Sequence, residues 1–278
     1  MKKAFQVKDH SVSGETFTLE YDKELHMFFT EPKPSAVDLP SYYESEDYIS
    51  HTDGARSLFE RMYQAVKQIT LSRKHSLLKK HISSQGTVLD IGAGTGDFLA
   101  HLSKKGWSVQ GVEPSKQARE LAANKNIVLQ NELPKDSSTY DAITMWHVLE
   151  HVYDLETQWS WLKKHLAKDG SLFIAVPNFE SHDASIYGAA WAAYDVPRHL
   201  YHFSKKAMQL LAEENELEVV AIEPMKFDAY YVSLLSEKYK NGRMRYLSAF
   251  YNGWVSNWKA RRSGAYSSLI YVIKHKKS

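Results

Sequence analysis

The chain has 278 residues, 43% of them hydrophobic and 24% charged, with a net charge of +2 and no cysteine. That balance suits one large α/β domain or two small ones, and it excludes disulfides, zinc–thiolate sites and a cysteine nucleophile. No apolar run approaches the ~20 residues that span a bilayer, and none follows the basic start Met1-Lys2-Lys3; the expectation is a cytoplasmic protein with no transmembrane segment.

Residues 1–54 read as a lead-in, with short strands at 16–21 and 26–30 and the turn-rich Glu31-Pro32-Lys33-Pro34. The aromatic, acidic run Tyr42-Tyr43-Glu44-Ser45-Glu46-Asp47-Tyr48-Ile49-Ser50-His51 is expected to fold over a bound ligand as a lid. Residues 55–278 read as the main domain. It opens with a helix at 55–81, where Leu58, Met62, Val66 and Ile69 recur at steps of three and four. From Gly86 strands and helices alternate: strand 87–91, helix 97–105, strand 107–112, helix 116–123, a short strand 127–129, strand 140–145, a helix ending near Leu166, and strand 171–176. Such alternation argues a mostly parallel sheet with helices on both faces. Two last strands, 217–222 and 267–273, flank a helical insertion at about 226–265.

From Tyr231 to Ser278 ten Lys or Arg stand against one acid, Glu237, among the aromatics Tyr246, Phe250, Tyr251, Trp254 and Trp258. This segment could attract an acidic substrate, a nucleic acid or an anionic membrane. Charge runs are more often solvated faces, so the favoured expectation is a basic helix whose aromatics pack on the domain.

The strand ending in Asp90 runs into Gly92-Ala93-Gly94-Thr95-Gly96, and a helix starts at Asp97. Glycines allow the tight backbone and close ligand approach of a nucleotide-cofactor turn. Twenty-three positions after Asp90, Glu113 ends the next strand, where a carboxylate can take both ribose hydroxyl protons. A dinucleotide fingerprint would put its third glycine where Asp97 stands, and that charge would oppose a pyrophosphate. S-adenosylmethionine carries no phosphate, and its sulfonium and ammonium are cations.

These residues carry a resemblance. Val88-Leu89-Asp90-Ile91-Gly92-Ala93-Gly94-Thr95-Gly96 resembles the first motif of class I S-adenosylmethionine-dependent methyltransferases, and Gly111-Val112-Glu113-Pro114 resembles their second. Tyr140-Asp141-Ala142-Ile143-Thr144-Met145-Trp146-His147-Val148-Leu149-Glu150-His151 is similar to the fourth-strand motif of the ubiquinone-biosynthesis-type O-methyltransferases, and Gly170-Ser171-Leu172-Phe173-Ile174-Ala175-Val176-Pro177-Asn178 to the fifth. The likeness covers about residues 80–225. It implies an α/β, Rossmann-like sheet of seven mostly parallel strands, the last one antiparallel and inserted beside the sixth. The implied cofactor, S-adenosylmethionine, lies over the C-terminal strand ends. Asp90, Gly92, Ala93, Gly94 and Gly96 would hold its methionine part, Glu113 and Pro114 its ribose, and Leu133 its adenine. His147 would lie beneath it and Tyr48, in the lid, above.

The implied reaction is methyl transfer to a small-molecule acceptor at oxygen. An RNA or protein methyltransferase and a non-catalytic cofactor-binding protein are the alternatives. Nucleic acid is disfavoured as a partner, because the fourth strand leads into Trp146-His147-Val148 without the paired prolines of base amino-methylating enzymes. The acceptor is expected at Asp195-Val196-Pro197-Arg198-His199-Leu200-Tyr201-His202. His199 is the candidate base, because imidazole titrates near neutrality. Arg198 could pair with an acidic acceptor, and His202 completes the catalytic set. The competing reading braces the loop internally with an Asp195–Arg198 salt bridge. Glu150 and His151, adjacent on one helix, point about 100° apart and make a poor chelate; no metal site is expected.

Overall fold

The computed structural model describes residues 4–43, 58–82 and 85–276. Its main sheet has six strands: β4 (Thr87–Ile91), β5 (Ser108–Val112), β6 (Tyr140–Trp146), β7 (Leu166–Pro177), β9 (Leu217–Pro224) and β10 (Ser268–His275), in the order β5-β4-β6-β7-β10-β9. The first four run parallel, and β10 lies antiparallel between β7 and β9. The expected strand at 127–129 is reduced, among the described residues, to an isolated bridge between Val112 and Gln130. Val128 is largely exposed there, so that segment lacks the second apolar face that an inner strand needs.

Alternation along each inner strand divides the core. Leu89, Ile143, Met145, Leu172, Ile174 and Tyr271 face Trp159 and Leu162 of α4 (Leu155–His165) and Met208 and Leu211 of α6 (Lys205–Glu214). Val88, Ala142, Phe173, Ala175 and Val272 face Leu71 and Leu78 of α1 (Leu58–His81) and Phe98 and Leu102 of α2 (Asp97–Ser103). The period of two therefore makes both faces of the sheet apolar, and helices must cover each.

The lead-in forms its own sheet. β1 (Ala4–Lys8), β2 (Thr16–Asp22) and β3 (Met27–Glu31) are antiparallel neighbours, and β3 pairs with β8 (Tyr201–His202). Val7, Phe17 and Phe28 pack on Trp191, Tyr194 and Val196. The lead-in is thus a wall behind the loop that was expected to hold the acceptor. A short 3-10 turn, Leu39–Tyr43, reaches that loop: Arg198 donates to the Tyr42 carbonyl at 2.8 Å. The rest of the expected lid, including Tyr48, lies outside the described residues.

The insertion is a pair of helices, α7 (Asp228–Asn241) and α8 (Tyr246–Ser263). The buried residues of α8 are small: Ala249, Gly253, Ser256 and Ala260. A Cβ on Gly253 would lie 2.9 Å from the Tyr230 ring and 3.0 Å from the Ala229 carbonyl oxygen, so the helices touch at backbone distance. Two buried carboxylates pin the pair. Asp183 accepts from Ser256, Ser267 and the Trp191 indole at 2.6–2.8 Å, and Glu237 accepts from Ser248, Asn241 and Tyr187. The expectation that the aromatics of α8 pack on the domain is overturned. Tyr246, Phe250, Tyr251, Trp254 and Trp258 are all half or more exposed, because the small residues fill the contact with α7.

Candidate active site

The glycine turn follows β4 as its spacing requires. Gly92, Gly94 and Gly96 have φ of 70°, 54° and 72°, in the left-handed region that side chains avoid. The amides of Gly92 and Ala93 donate to the Val112 carbonyl at 2.8 and 3.0 Å, tying the turn to the end of β5. A Cβ on Gly92 would meet Val148 at 2.4 Å, so the turn lies against the segment after β6.

Glu113 lies across this turn. One carboxylate oxygen accepts from the Gly94 amide and the other from the Ser115 amide, each at 2.9 Å. An ionised carboxylate offers about four acceptor directions, so two remain for a ligand. Pro114 leads into α3 (Lys116–Ala123), and Arg119 of that helix donates to the Glu113 and Pro114 carbonyls at 2.7 Å. Beside it an open hollow of about 510 Å³ is lined by Arg119, Leu129, Gln130, Asn131, Leu133 and Pro134. Asp97 does not present a bare charge. Lys67 and Lys125 hold it at 2.7 and 2.9 Å, so its expected repulsion of a pyrophosphate is largely neutralised.

Asp90 is fully enclosed beneath the turn. Its register partner Thr144 donates to it at 2.5 Å. Burial pushes its carboxyl up to about 7, against the pull of Thr144 and Lys74. Lys74 of α1 is pushed down to about 8 by burial, against the attraction of Asp90 and Asp228, and its ammonium lies 4.1 Å over the Trp146 ring. No sequence signal marked Lys74; one lysine on a basic helix looks like the others.

A test follows from the raised Asp90 value. Between the ordinary 3.8 and about 7 the folded chain holds a proton that the unfolded chain has lost, so stability falls as pH rises through that window. Asp90→Asn keeps an oxygen for Thr144 and removes the titration. The variant should match the parent near the low end and exceed it above the high end, with a ceiling of ~4 kcal/mol for a shift of about three units. Denaturant melts across pH check this. A difference that stays flat with pH would contradict it.

His147, with φ of 59°, turns the chain out of β6. One ring nitrogen meets Glu150 at 3.2 Å and the other meets Asp228 of α7 at 3.0 Å. Burial opposes its charge, but the two carboxylates override it and raise the imidazole to about 10. With both nitrogens engaged, only its faces and carbon edge are left to touch a ligand. Asp228 is 81 positions away in sequence, and nothing local pointed to it.

The loop around residue 198 holds the expected catalytic set in two layers. The Arg198 guanidinium grips Asp195 through two nitrogens, the Nε contact at 3.0 Å, so the internal salt bridge is present. His199 Nδ1 lies 2.9 Å from the Ala193 carbonyl, and His151 Nδ1 lies 3.0 Å from the Arg198 carbonyl. A carbonyl only accepts, so each Nδ1 directs its N–H there; the Tyr43 hydroxyl also lies 3.0 Å from His151 Nδ1, and His199 Nε2 lies 3.8 Å from the Asp195 carboxylate. The two rings meet edge to face at 4.5 Å. His202 sits behind them with its Nε2 3.0 Å from Thr30 Oγ1, whose hydroxyl donates to the His199 carbonyl at 2.6 Å. Burial, then the His199 charge, drive His202 well below the usual histidine range.

Glu150, His151 and His199 present ligand atoms that all lie within 4.8 Å of one another. Glu150 Oε2 is buried with no hydrogen-bond partner. Burial would raise the Glu150 carboxyl, but His147 and the neighbouring histidines hold it low; burial and His199 push His151 down to about 4. The site therefore gathers a carboxyl group held low, the His151 imidazole held low, and the His199 ring. That set suits a divalent cation of the imidazole-binding kind, and equally a hydroxyl group that must lose its proton. Glu150 and His151, adjacent in sequence, offer only two ligands. The 3-10 turn Leu149–His151 and the returning loop supply the third.

A family model described as a methyltransferase domain matches residues 59–222. An uncharacterised methyltransferase of Alkaliphilus oremlandii is 36% identical over 107 residues, 36% of this chain and 49% of that protein. The ubiquinone biosynthesis O-methyltransferase of Pelagibacter ubique is 30% identical over 156 residues, 51% of this chain and 65% of that protein. The chain thus spans about half to two thirds of these relatives. In fold it is similar to the magnesium protoporphyrin IX methyltransferase of Synechocystis PCC 6803 with bound SAH, with a TM-score of 0.58 and 14% identity over 87% of this chain and 100% of that one.

Proposed function

This chain belongs to the methyltransferase-domain family, whose cofactor is S-adenosylmethionine, and on that premise we propose that it methylates an oxygen of a small-molecule acceptor held against Glu150, His151 and His199. The closeness of the cluster's three ligand atoms carries this reading. They stand just beyond Val148, which touches Gly92 of the cofactor turn. The O-methyltransferase names of several curated relatives support oxygen as the target atom.

In this reading the cofactor's methionine end lies over Asp90, Gly92, Ala93, Gly94 and Gly96, and its cations relieve the cost of ionising Asp90. Glu113 takes the ribose hydroxyls beside Pro114. Leu133 backs the adenine in the adjoining hollow. His147 supports the floor. The acceptor hydroxyl sits against His199 Nε2. Its oxygen would displace the sulfonium in line, the C–O bond forming as the S–C bond breaks with its electron pair returning to sulfur, and His199 would take the proton. Arg198 and His202 hold the base in place through Asp195 and Thr30. A divalent cation in the cluster would instead supply Lewis acidity to the same oxygen.

The test is incubation with methyl-labelled cofactor and a fractionated cell extract, followed by mass spectrometry and NMR of labelled products. A labelled methoxyl on a small molecule is expected. Label confined to RNA or protein, or to nitrogen or carbon, would overturn the proposal.

A further inference from the structure

Helix α8 wears its large side chains outward. Its buried positions are 249, 253, 256 and 260, and the exposed stripe Leu247, Tyr251, Trp254 and Trp258 lies two residues before each, about 200° round the helix. Phe250 widens the stripe, and Leu247 is 90% exposed. Phe250 stacks on Tyr230 of α7, yet every side chain of the stripe keeps half or more of its surface in water, and solvating that surface costs free energy throughout the life of the folded chain.

Charge is placed around the stripe and not within it. The thirteen residues from Tyr246 to Trp258 include no charged side chain. Arg243 and Arg245 stand exposed at one end, and Lys259, Arg261 and Arg262 at the other. From this we infer that α8 is a membrane-docking helix, which lies in the interface of an anionic lipid surface. Its Tyr and Trp rings sit at headgroup level, Leu247 enters the acyl boundary, and the basic ends meet lipid phosphates.

The pattern separates this occupant from two others. A nucleic acid strand needs cations at phosphate spacing along its path, whereas the basic ends here are about 20 Å apart with none between. A second copy of the chain would bring like-charged ends together. Among the described residues no helix is long and apolar enough to cross a membrane, so the contact is peripheral. The inference does not depend on the acceptor. It does give the insertion a purpose, because α7, through Asp228 and His147, joins the docked helix to the rim of the site.

The test is co-sedimentation of the full chain with phosphatidylcholine vesicles, with and without phosphatidylglycerol, at low and high salt. Binding is expected only to the anionic vesicles, with weakening by salt and a blue shift in tryptophan emission. Leu247→Glu with Trp254→Glu should reduce binding on the order of a hundredfold. Arg261→Glu with Arg262→Glu should reduce it on the order of tenfold or more. All four positions are solvent-facing, and thermal melts matching the parent confirm that the fold is intact. No binding to anionic vesicles, equal binding to neutral ones, or binding that both double variants leave unchanged would overturn the inference. So would dimerisation in sedimentation velocity, or tight binding of single-stranded RNA, that is lost with Leu247→Glu and Trp254→Glu.

Discussion

Replacing Glu113 by alanine is expected to weaken S-adenosylhomocysteine binding by about 10²–10⁴-fold, as read by titration calorimetry. Two charge-assisted hydrogen bonds to the ribose hydroxyls, each worth about 1.5–3 kcal/mol, set that range. The geometry adds a complication, because the same carboxylate already accepts from the Gly94 and Ser115 amides. Loss of affinity could therefore come from a loosened turn. Glu113→Gln separates the two. It keeps one carbonyl oxygen for a backbone amide and loses the charge and one acceptor, so it should fall between the parent and alanine. If both variants bind like the parent while folded, Glu113 has no part in the site. If Glu113→Gln matches Glu113→Ala and both melt early, the effect belongs to the turn.

The second large effect is expected at His199. His199→Gln should lower turnover on the true acceptor by about 10²–10⁴-fold, the usual worth of general acid–base catalysis, with cofactor affinity close to the parent's. The geometry supports a specific role for one atom. Ala193 accepts from Nδ1, Nε2 lies 3.8 Å from Asp195, and the ring offers a ligand atom within 4.8 Å of those of Glu150 and His151. A glutamine amide can keep the bond to Ala193 but offers no comparable base. Were the cluster to work through a divalent cation, the same variant would lose activity together with metal content, measured by elemental analysis. A folded variant with near-normal turnover would sink both versions. Early melting with proportionate loss of activity would make the histidine a brace for the loop, like Arg198 with Asp195.

What the sequence determined by itself was whatever is encoded at short range. The glycines of the cofactor turn require positive φ over five residues, and Asp90 and Glu113 end two adjacent strands. The alternation of strands with helices from Gly86 announces a sheet covered on both faces for the same reason: each element carries its own local pattern. The helix limits came within a few residues, with Lys116–Ala123 found as expected. Tertiary structure decided everything that joins distant segments. Glu150 and His151 became a cluster only when His199, 48 positions away, was brought back by the Leu200 amide donating to the Glu150 carbonyl at 2.8 Å. Lys74 acquired its depressed basicity only from burial, against the pull of Asp90, and Asp97 lost its bare charge to two lysines from other helices and turns. The third strand shrank to one bridge because its outer face met no neighbouring layer. The direction of the α8 stripe was likewise undecided in sequence. Aromatic and small residues alternate round that helix with the same period, and only the close contact of Gly253 with Ala229 fixes which side turns inward.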